Sequence, residues 1–448
     1  MPLFKKILIA NRGEIACRII RACHQMGIEA AVIFSEADAN ALHVKLADEA
    51  HVVGPSPVAQ SYLQVGKIIE IAKSCKADAI HPGYGLLSEN AIFAQACQDA
   101  GLVFIGPKSD AIASMGSKVE ARQVAIAAAV PVVPGSEGAV ADEDEAVQIA
   151  ETMGYPIMLK ASAGGGGIGM VVAKNETTLR SAFAASSKRV LSYFGDGTMY
   201  IEKYIERPRH VEIQVLADQH GHAIHLGERE CSIQRRHQKI VEESPSKAVD
   251  ASLRQRMGQA ALALVHALQY TGVGTIEFLL DQAGDFYFLE MNTRLQVEHP
   301  VTEEVTGVDL VQWQLRVAMG EPLSDEVVAY KQTGHAIECR ICAEDPERFF
   351  PSPGTITELQ VPELEGIRNE IGVRQGDAIT PYYDPMFAKL IAYGKDREEA
   401  RQRMLAALAQ YRVVGIKTNI ILLKRVLENS AFAQGDTHTA FIEEQFAL

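Results

Sequence analysis

The sequence predicts a multidomain fold, an α/β unit followed by α+β units, and three observations carry that reading. Short apolar runs alternate with helix-period segments through the first ~105 residues, the mark of β-α-β-α winding. Further on, strand-like runs come in adjacent pairs, the mark of antiparallel hairpins. The chain is also long enough: its 448 residues, 47% of them hydrophobic, suit two to four domains at roughly 100–200 residues each.

Residues 6–10 (Lys-Ile-Leu-Ile-Ala) read as a short buried strand, and the helix after it places Ile15, Ile19, Cys23 and Met26 on one face. A strand at Ala30–Ser35, a loop and a helix around Tyr62–Lys73 follow. A strand at Ala77–His81, a helix at Ala91–Ala100 and a strand at Leu102–Ile105 complete a parallel sheet with helices on both faces. Residues 1–105 are therefore expected to form the first domain. Its winding is Rossmann-like, yet Asn11-Arg-Gly-Glu14 lacks the second and third glycines of a dinucleotide fingerprint, which argues against NAD there.

From 106 to 330 the texture changes. A helix containing Lys118 meets the breaker Val130-Pro-Val-Val-Pro-Gly135, a helix covers 142–152, and Tyr155–Lys160 leads into a glycine run. Paired strands are expected at 199–206, 211–218 and 222–229, and again at 273–280 and 285–292. The last domain, 331–448, starts with a strand at His335–Cys342 and turns at Pro351-Ser-Pro-Gly354. It ends in helices near 397–410 and 418–446.

A formal net charge of −14 makes the whole chain a poor nucleic-acid binder, while leaving room for a local basic pocket. Seven scattered cysteines fit reduced thiols in a cytoplasmic setting. Cys339 and Cys342 have redox-pair spacing, but on a strand positions three apart face opposite sides. No apolar stretch nears the ~20 residues needed to span a membrane. Arg12 and Glu14 cut short the apolar run that a signal peptide would need.

Lys160-Ala-Ser-Ala-Gly164-Gly-Gly-Gly-Ile-Gly169 stands between two strand-like runs. Read blandly, so many glycines make a flexible linker. Read functionally, bare amides close over phosphate oxygens with Lys160 beside them. It is not a Walker A loop, since no Gly-Lys-Ser/Thr follows.

The hairpin Gly274–Asn292 is more specific. Period-two reading puts Glu290, Asn292 and Arg294 on one face and Leu289, Met291 and Leu295 on the other. Gln282-Ala-Gly284 suits a three-residue loop with a bulge, which sets Glu277 opposite Glu290. Two facing carboxylates repel unless a cation lies between them, and an all-oxygen set suits Mg²⁺ holding nucleotide phosphates.

These segments resemble the biotin carboxylases of the ATP-grasp superfamily. Ile9-Ala-Asn-Arg-Gly-Glu-Ile-Ala16, His81-Pro-Gly-Tyr-Gly-Leu-Leu-Ser-Glu-Asn90 and the glycine run carry the likeness. So do Glu206–Gln214, Glu228–Lys239, Glu290–Glu303 and Glu338–Asp345, in family order along essentially the whole chain. The resemblance implies an N-terminal pre-ATP-grasp domain, an ATP-grasp domain with a mobile lid over about 132–203, and a C-terminal biotin carboxylase domain. It implies that Lys118, Lys160, His210, Gln234 and His237 contact ATP, with Gly165, Gly166 and Gly167 over its phosphates. Glu202, Lys203 and Ile205 would meet the adenine. Glu277 and Glu290 would bind Mg²⁺ (or Mn²⁺), with Asn292 beside them. Lys239, Arg294, Gln296 and Val297 would hold bicarbonate, Glu298 would be its base, Arg340 would face the biotin ureido oxygen, and Tyr84 would border the ring.

Two departures stand out. Ile168 replaces a basic residue common in the glycine loop, and Cys342 replaces the commoner Asn. Arg340 also has a simpler reading, a structural ion pair with a neighbour such as Glu89. Other ATP-grasp ligases (a carbamoyl-phosphate synthase half, a purine-pathway ligase) lack the Glu338-Cys-Arg340 and His81-Pro-Gly-Tyr84 segments. A silent regulatory subunit would have lost one of Lys239, Glu277, Glu290, Glu298 or Arg340. With no Ala-Met-Lys-Met-type site, the chain is expected to need a biotin carboxyl carrier and a carboxyltransferase, as in an acyl-CoA carboxylase, and to form a homodimer.

Overall fold

The computed structural model describes residues 4–136, 138–161, 171–194 and 198–446. The glycines Gly164–Gly167 and Ile168 lie outside the described residues.

Five parallel strands open the chain: β1 (Lys6–Ile9), β2 (Glu29–Ser35), β3 (Glu49–Gly54), β4 (Ala79–His81) and β5 (Val103–Phe104). They run in the order β3-β2-β1-β4-β5. The loop expected after Ser35 therefore contains a strand, which pairs with β2 as the sheet edge. Its burial alternates instead of running continuously apolar, so it lacks the signature of its neighbours. The turn after β4 is fixed by Asn11, whose Nδ2 donates to the carbonyls of Pro82 (2.6 Å) and Tyr84 (2.8 Å). Gly83 sits there at φ +65, and a Cβ on it would lie 2.8 Å from that amide nitrogen, so only glycine fits.

A separate three-stranded sheet joins β6 (Ile157–Ala161), β7 (Val171–Ala173) and β8 (Met199–Lys203) in the order β7-β6-β8. With the helices Glu143–Met153 and Glu176–Phe194 it encloses its own small core around Ile157, Leu159 and Ile201.

The largest sheet has eight antiparallel strands. From the central segment come β9 (Arg209–Ala217), β10 (Ala223–Arg235), β11 (Gln238–Ser244), β12 (Gly272–Leu280) and β13 (Phe286–Asn292). They stand in the order β13-β12-β9-β10-β11, and β14 (His335–Cys342) extends the sheet from β11. The strands Met386–Gly394 and Ile367–Ile371 complete it. Chain beyond residue 330 thus continues the sheet that the central segment begins. Strand β11 was not anticipated, because Gln-Lys-Ile-Val-Glu-Glu-Ser is mostly polar. Its polar residues are nevertheless mostly buried, and Lys239 and Glu242 reach the groups of the site described below.

Candidate active site

A cleft of about 740 Å³ opens over the large sheet, between the turn that carries Tyr84 and the ends of β10, β12 and β14. Its floor is a cluster of charges. Glu277 and Glu290 face each other across β12 and β13, with a register shift at Phe278. The expected pairing is therefore present, but the extra residue is Leu289, beyond the loop. The bulge turns Leu289 onto the cleft wall, 38% exposed, and not into the core where strict alternation had placed it. Gly284 has φ +87, as the loop requires.

Asn292 donates to Glu277 (2.8 Å) and accepts from Arg294 (2.9 Å). Gln296 donates to Glu277 at 3.0 Å and accepts from Arg294 at 2.9 Å. Glu89 bonds Arg294 Nε at 2.9 Å, so it belongs to Arg294 and not to Arg340. His210 lies buried on β9, with Nε2 3.0 Å from Glu277 and Nδ1 2.9 Å from Gln234. His237 lines the cleft from a two-residue β10–β11 turn in which Arg236 (φ +49) and His237 (φ +66) are both left-handed. That is the hairpin geometry usually given to Asn-Gly, here held by larger residues.

Lys239 is the hub. Its Nζ donates to Glu212 (2.6 Å), Glu277 (2.9 Å) and Glu298 (2.7 Å). Burial would lower its pKa, but the three carboxylates outweigh burial and hold it well above the usual lysine range. Glu298 precedes the helix His299–Thr306 without capping it. Its carboxylate turns instead to Lys239 and to an Arg340 guanidinium nitrogen at 3.0 Å. Burial would raise Glu298, yet Lys239, Arg340 and Arg229 hold it well below the ordinary carboxylate range. Arg340 Nε donates to Glu242 at 2.5 Å. Val297 accepts at its carbonyl from Lys389, 2.7 Å away. Tyr84 donates to Glu14 at 2.5 Å, and the same Glu14 lies 3.3 Å from Lys389.

Lys118, Lys160, Glu202, Lys203 and Ile205 are not among the residues that line the cleft. Lys160 on β6 bonds Glu202 on β8. Lys203 donates to the carbonyls of Gly154 and Tyr155, and Ile205 lies half-buried just beyond β8. Lys118 opens the helix Lys118–Ala127, and its charge is felt at Glu290. Partial desolvation pushes Glu290 up, as does Glu277, while Lys118 and His210 pull it down. The Glu290 carboxylate makes no hydrogen bond or ion pair with the side chains of the described residues. An unpaired carboxylate opposite Glu277, in an oxygen donor set, fits a divalent cation.

Sequence reasoning missed Glu212, Arg229, Glu242 and Glu338 as individuals. Glu212 follows His210 by two on a strand, so period two from His210 is the signal that would have found it. Cys339 and Cys342 are buried free thiols with pKa values raised well above normal by burial, not a redox or metal pair.

Opposed carboxylates with buried Lys239 and Arg340 beside them make up the site, and the class is an ATP-dependent ligase. Family models match three stretches: the biotin carboxylase N-terminal domain (3–112), the carbamoyl-phosphate synthase L chain ATP-binding domain (117–326) and the biotin carboxylase C-terminal domain (338–444). The chain belongs to the biotin carboxylase family. It is 58% identical over 98% of its length to a biotin carboxylase of Halalkalibacterium halodurans, covering 97% of that protein. It is 52% identical to the human mitochondrial propionyl-CoA carboxylase alpha chain, over 99% of this chain and 61% of that one. Among solved structures, a Hydrogenobacter thermophilus 2-oxoglutarate carboxylase biotin carboxylase domain dimer, in complex with MgADP, ADP and bicarbonate, matches with TM-score 0.93. Identity there is 47%, covering 99% of this chain and 98% of that one. No described helix is long and apolar enough to cross a membrane.

Proposed function

We propose that the cleft runs ATP- and bicarbonate-dependent carboxylation of biotin in two stages, divided between the two ends of the charge cluster. The observation that carries this division is Glu298, held between Lys239 on the nucleotide side and Arg340 on the other. Glu277 and Glu290 would hold Mg²⁺ with Asn292 alongside, and the ion supplies charge neutralisation on the nucleotide phosphates. Lys118, Lys160, His210, Gln234 and His237 would contact ATP, and Glu202, Lys203 and Ile205 its adenine. The small sheet would close over the nucleotide as a lid, with Gly165, Gly166 and Gly167 over the phosphates.

Bicarbonate would sit against Lys239, Arg294, Gln296 and Val297. As Lys239 and Arg294 turn to the anion, Glu298 loses an ion-pair partner and becomes basic enough to take its proton. The freed oxygen attacks the γ-phosphorus and ADP leaves, giving carboxyphosphate. Its breakdown gives CO₂ and phosphate, and the phosphate takes the biotin N1′ proton. Arg340 then stabilises the enolate oxygen, Tyr84 borders the ring, and N1′ attacks CO₂. Biotin would arrive on a carrier protein and leave for a carboxyltransferase; a homodimer in the cytoplasm completes the reading.

The test is ADP release with Mg-ATP and bicarbonate, with and without free biotin. Biotin should stimulate turnover strongly, and Arg340→Ala and Glu298→Ala should each lose roughly 100-fold or more, the scale of one charge-stabilising or acid–base group. Turnover indifferent to biotin would move the assignment to another ATP-grasp ligase.

A further inference from the structure

Beside Arg340 lie two buried carboxyls to which neither the family resemblance nor the scheme above gives a role. Glu242 on β11 and Glu338 on β14 are register partners in an antiparallel pair, so their side chains leave the sheet on one face. Both residues are fully buried. Among the described residues neither Glu338 oxygen has a hydrogen-bond partner, and Glu242 Oε2 has none either; Glu242 Oε1 is bonded by Arg340 Nε. Three buried oxygens without a donor are costly, unless one of them carries a proton.

We infer that Glu242 and Glu338 are a positioning pair for Arg340: they share one proton, held on Glu338, so that one carboxylate and not two faces the guanidinium from that side. The inference rests on the role proposed above for Arg340 toward the biotin oxygen. Arg340 must be held in place, yet keep enough uncompensated charge to meet a developing enolate. Glu298 already takes one of its nitrogens. A second carboxylate is enough to fix the guanidinium plane, and a third would set one more negative charge against its single positive one.

The surrounding groups agree on where the proton sits. Arg340 donates to Glu242, which puts the negative charge there and leaves the proton on Glu338. Facing the pair are Arg340 on the same strand as Glu338, and Lys389, register partner of Arg340 on the strand Met386–Gly394. Lys239 on β11 and Glu298 at the start of the helix His299–Thr306 also bear on it. Cys231, Cys339 and Tyr84 are close enough to feel its charge, and burial pushes each of these up and keeps it neutral. Lys389 is engaged elsewhere, with Glu14 and the Val297 carbonyl. Burial raises Glu242 to about 7 against the pull of Arg340, and raises Glu338 well above the carboxylate range with only Lys389 and Arg340 opposing.

Glu338→Gln tests the inference, because an amide keeps the shape and removes the titration. Infrared difference spectra at neutral pH should show a protonated carboxyl band in the wild type that E338Q lacks. Biotin-stimulated ADP release in the wild type should fall on the alkaline side, where loss of the shared proton draws Arg340 into the pair. In E338Q the alkaline midpoint should move up by about one pH unit or more. A wild type without the band, or an unchanged midpoint in E338Q, overturns the inference. If E338Q does not fold, Glu242→Gln should also remove the band. In the wild type alone, a band that disappears at a pH away from the alkaline limb overturns it as well. Failure of the underlying reading looks different: the band would be present, while Arg340→Ala kept its biotin stimulation.

Discussion

Arg229 has no exposed surface, and its nitrogens are engaged by Glu212 (2.6 Å), Gln214 (2.5 Å), Thr302 (2.9 Å) and Thr275 (3.0 Å). It touches none of the groups assigned to substrate. Instead it holds Glu212, which holds Lys239. Arg229→Met would strip a buried carboxylate of one cation, and urea unfolding should show a loss of about 3–5 kcal/mol. Such residues are the least legible from sequence. An arginine inside Glu-Arg-Glu-Cys-Ser looks like a solvated strand face until distant partners from β9, β12 and the helix His299–Thr306 close around it. Glu277 and Glu290 were legible because their meeting depends only on a hairpin loop and period two, both local. Arg340 lines the cleft, and the simpler reading that paired it with Glu89 fails, since Glu89 reaches Arg294 through the fold of the N-terminal sheet.

At the scale of elements, the bulge at Leu289 shows where alternation stops being a guide. Leu289 and Leu295 were both assigned to the core face, yet Leu289 is 38% exposed and Leu295 is fully buried. Leu289→Ala should therefore change stability by less than about 0.5 kcal/mol, as surface substitutions do. Leu295→Ala should cost about 2–5 kcal/mol. Equal costs in thermal or urea unfolding would return Leu289 to the core. Strands with continuous apolar runs, such as β1 and β4, were found within a residue or two. Two of those that were missed, β3 and β11, carry charge for opposite reasons: β3 is an edge, while β11 sends Lys239 and Glu242 inward to the site. Polarity looks the same in both cases, and only the partners tell them apart.

Among the described residues, His43, His81 and His299 are fully buried and held in the neutral state. Burial lowers His43 to about 4 and His81 to about 3, and His299 well below its ordinary value. A histidine with a depressed folded pKa adds stability above its unfolded value near 6.5, and that stability is lost as pH falls toward the folded value. Glu243 and Glu370, both held at about 2, act in the same direction at lower pH. The melting temperature should begin to drop below pH ~6.5, before ordinary carboxylates titrate. His81→Asn, whose side-chain oxygen can still accept from the Gly83 amide as Nδ1 does at 3.0 Å, should flatten that first decline. A melting temperature indifferent to pH between ~4.5 and ~6.5 would contradict this.

The continuity of the large sheet across residue 330 has a consequence for how the chain is made. Synthesis runs from the N-terminus, so β11 leaves the ribosome about ninety residues ahead of β14, the strand that covers it. Until β14 arrives, β11 is an open edge with unmatched amides and carbonyls, and Glu242 waits beside it for Arg340. Glu14 waits longer still, because Lys389 is translated after β14. The nascent protein therefore passes through a long interval in which its future catalytic floor is an open, sticky edge, and a chain that stalled before β14 would be a candidate for aggregation and chaperone capture, not a smaller working enzyme.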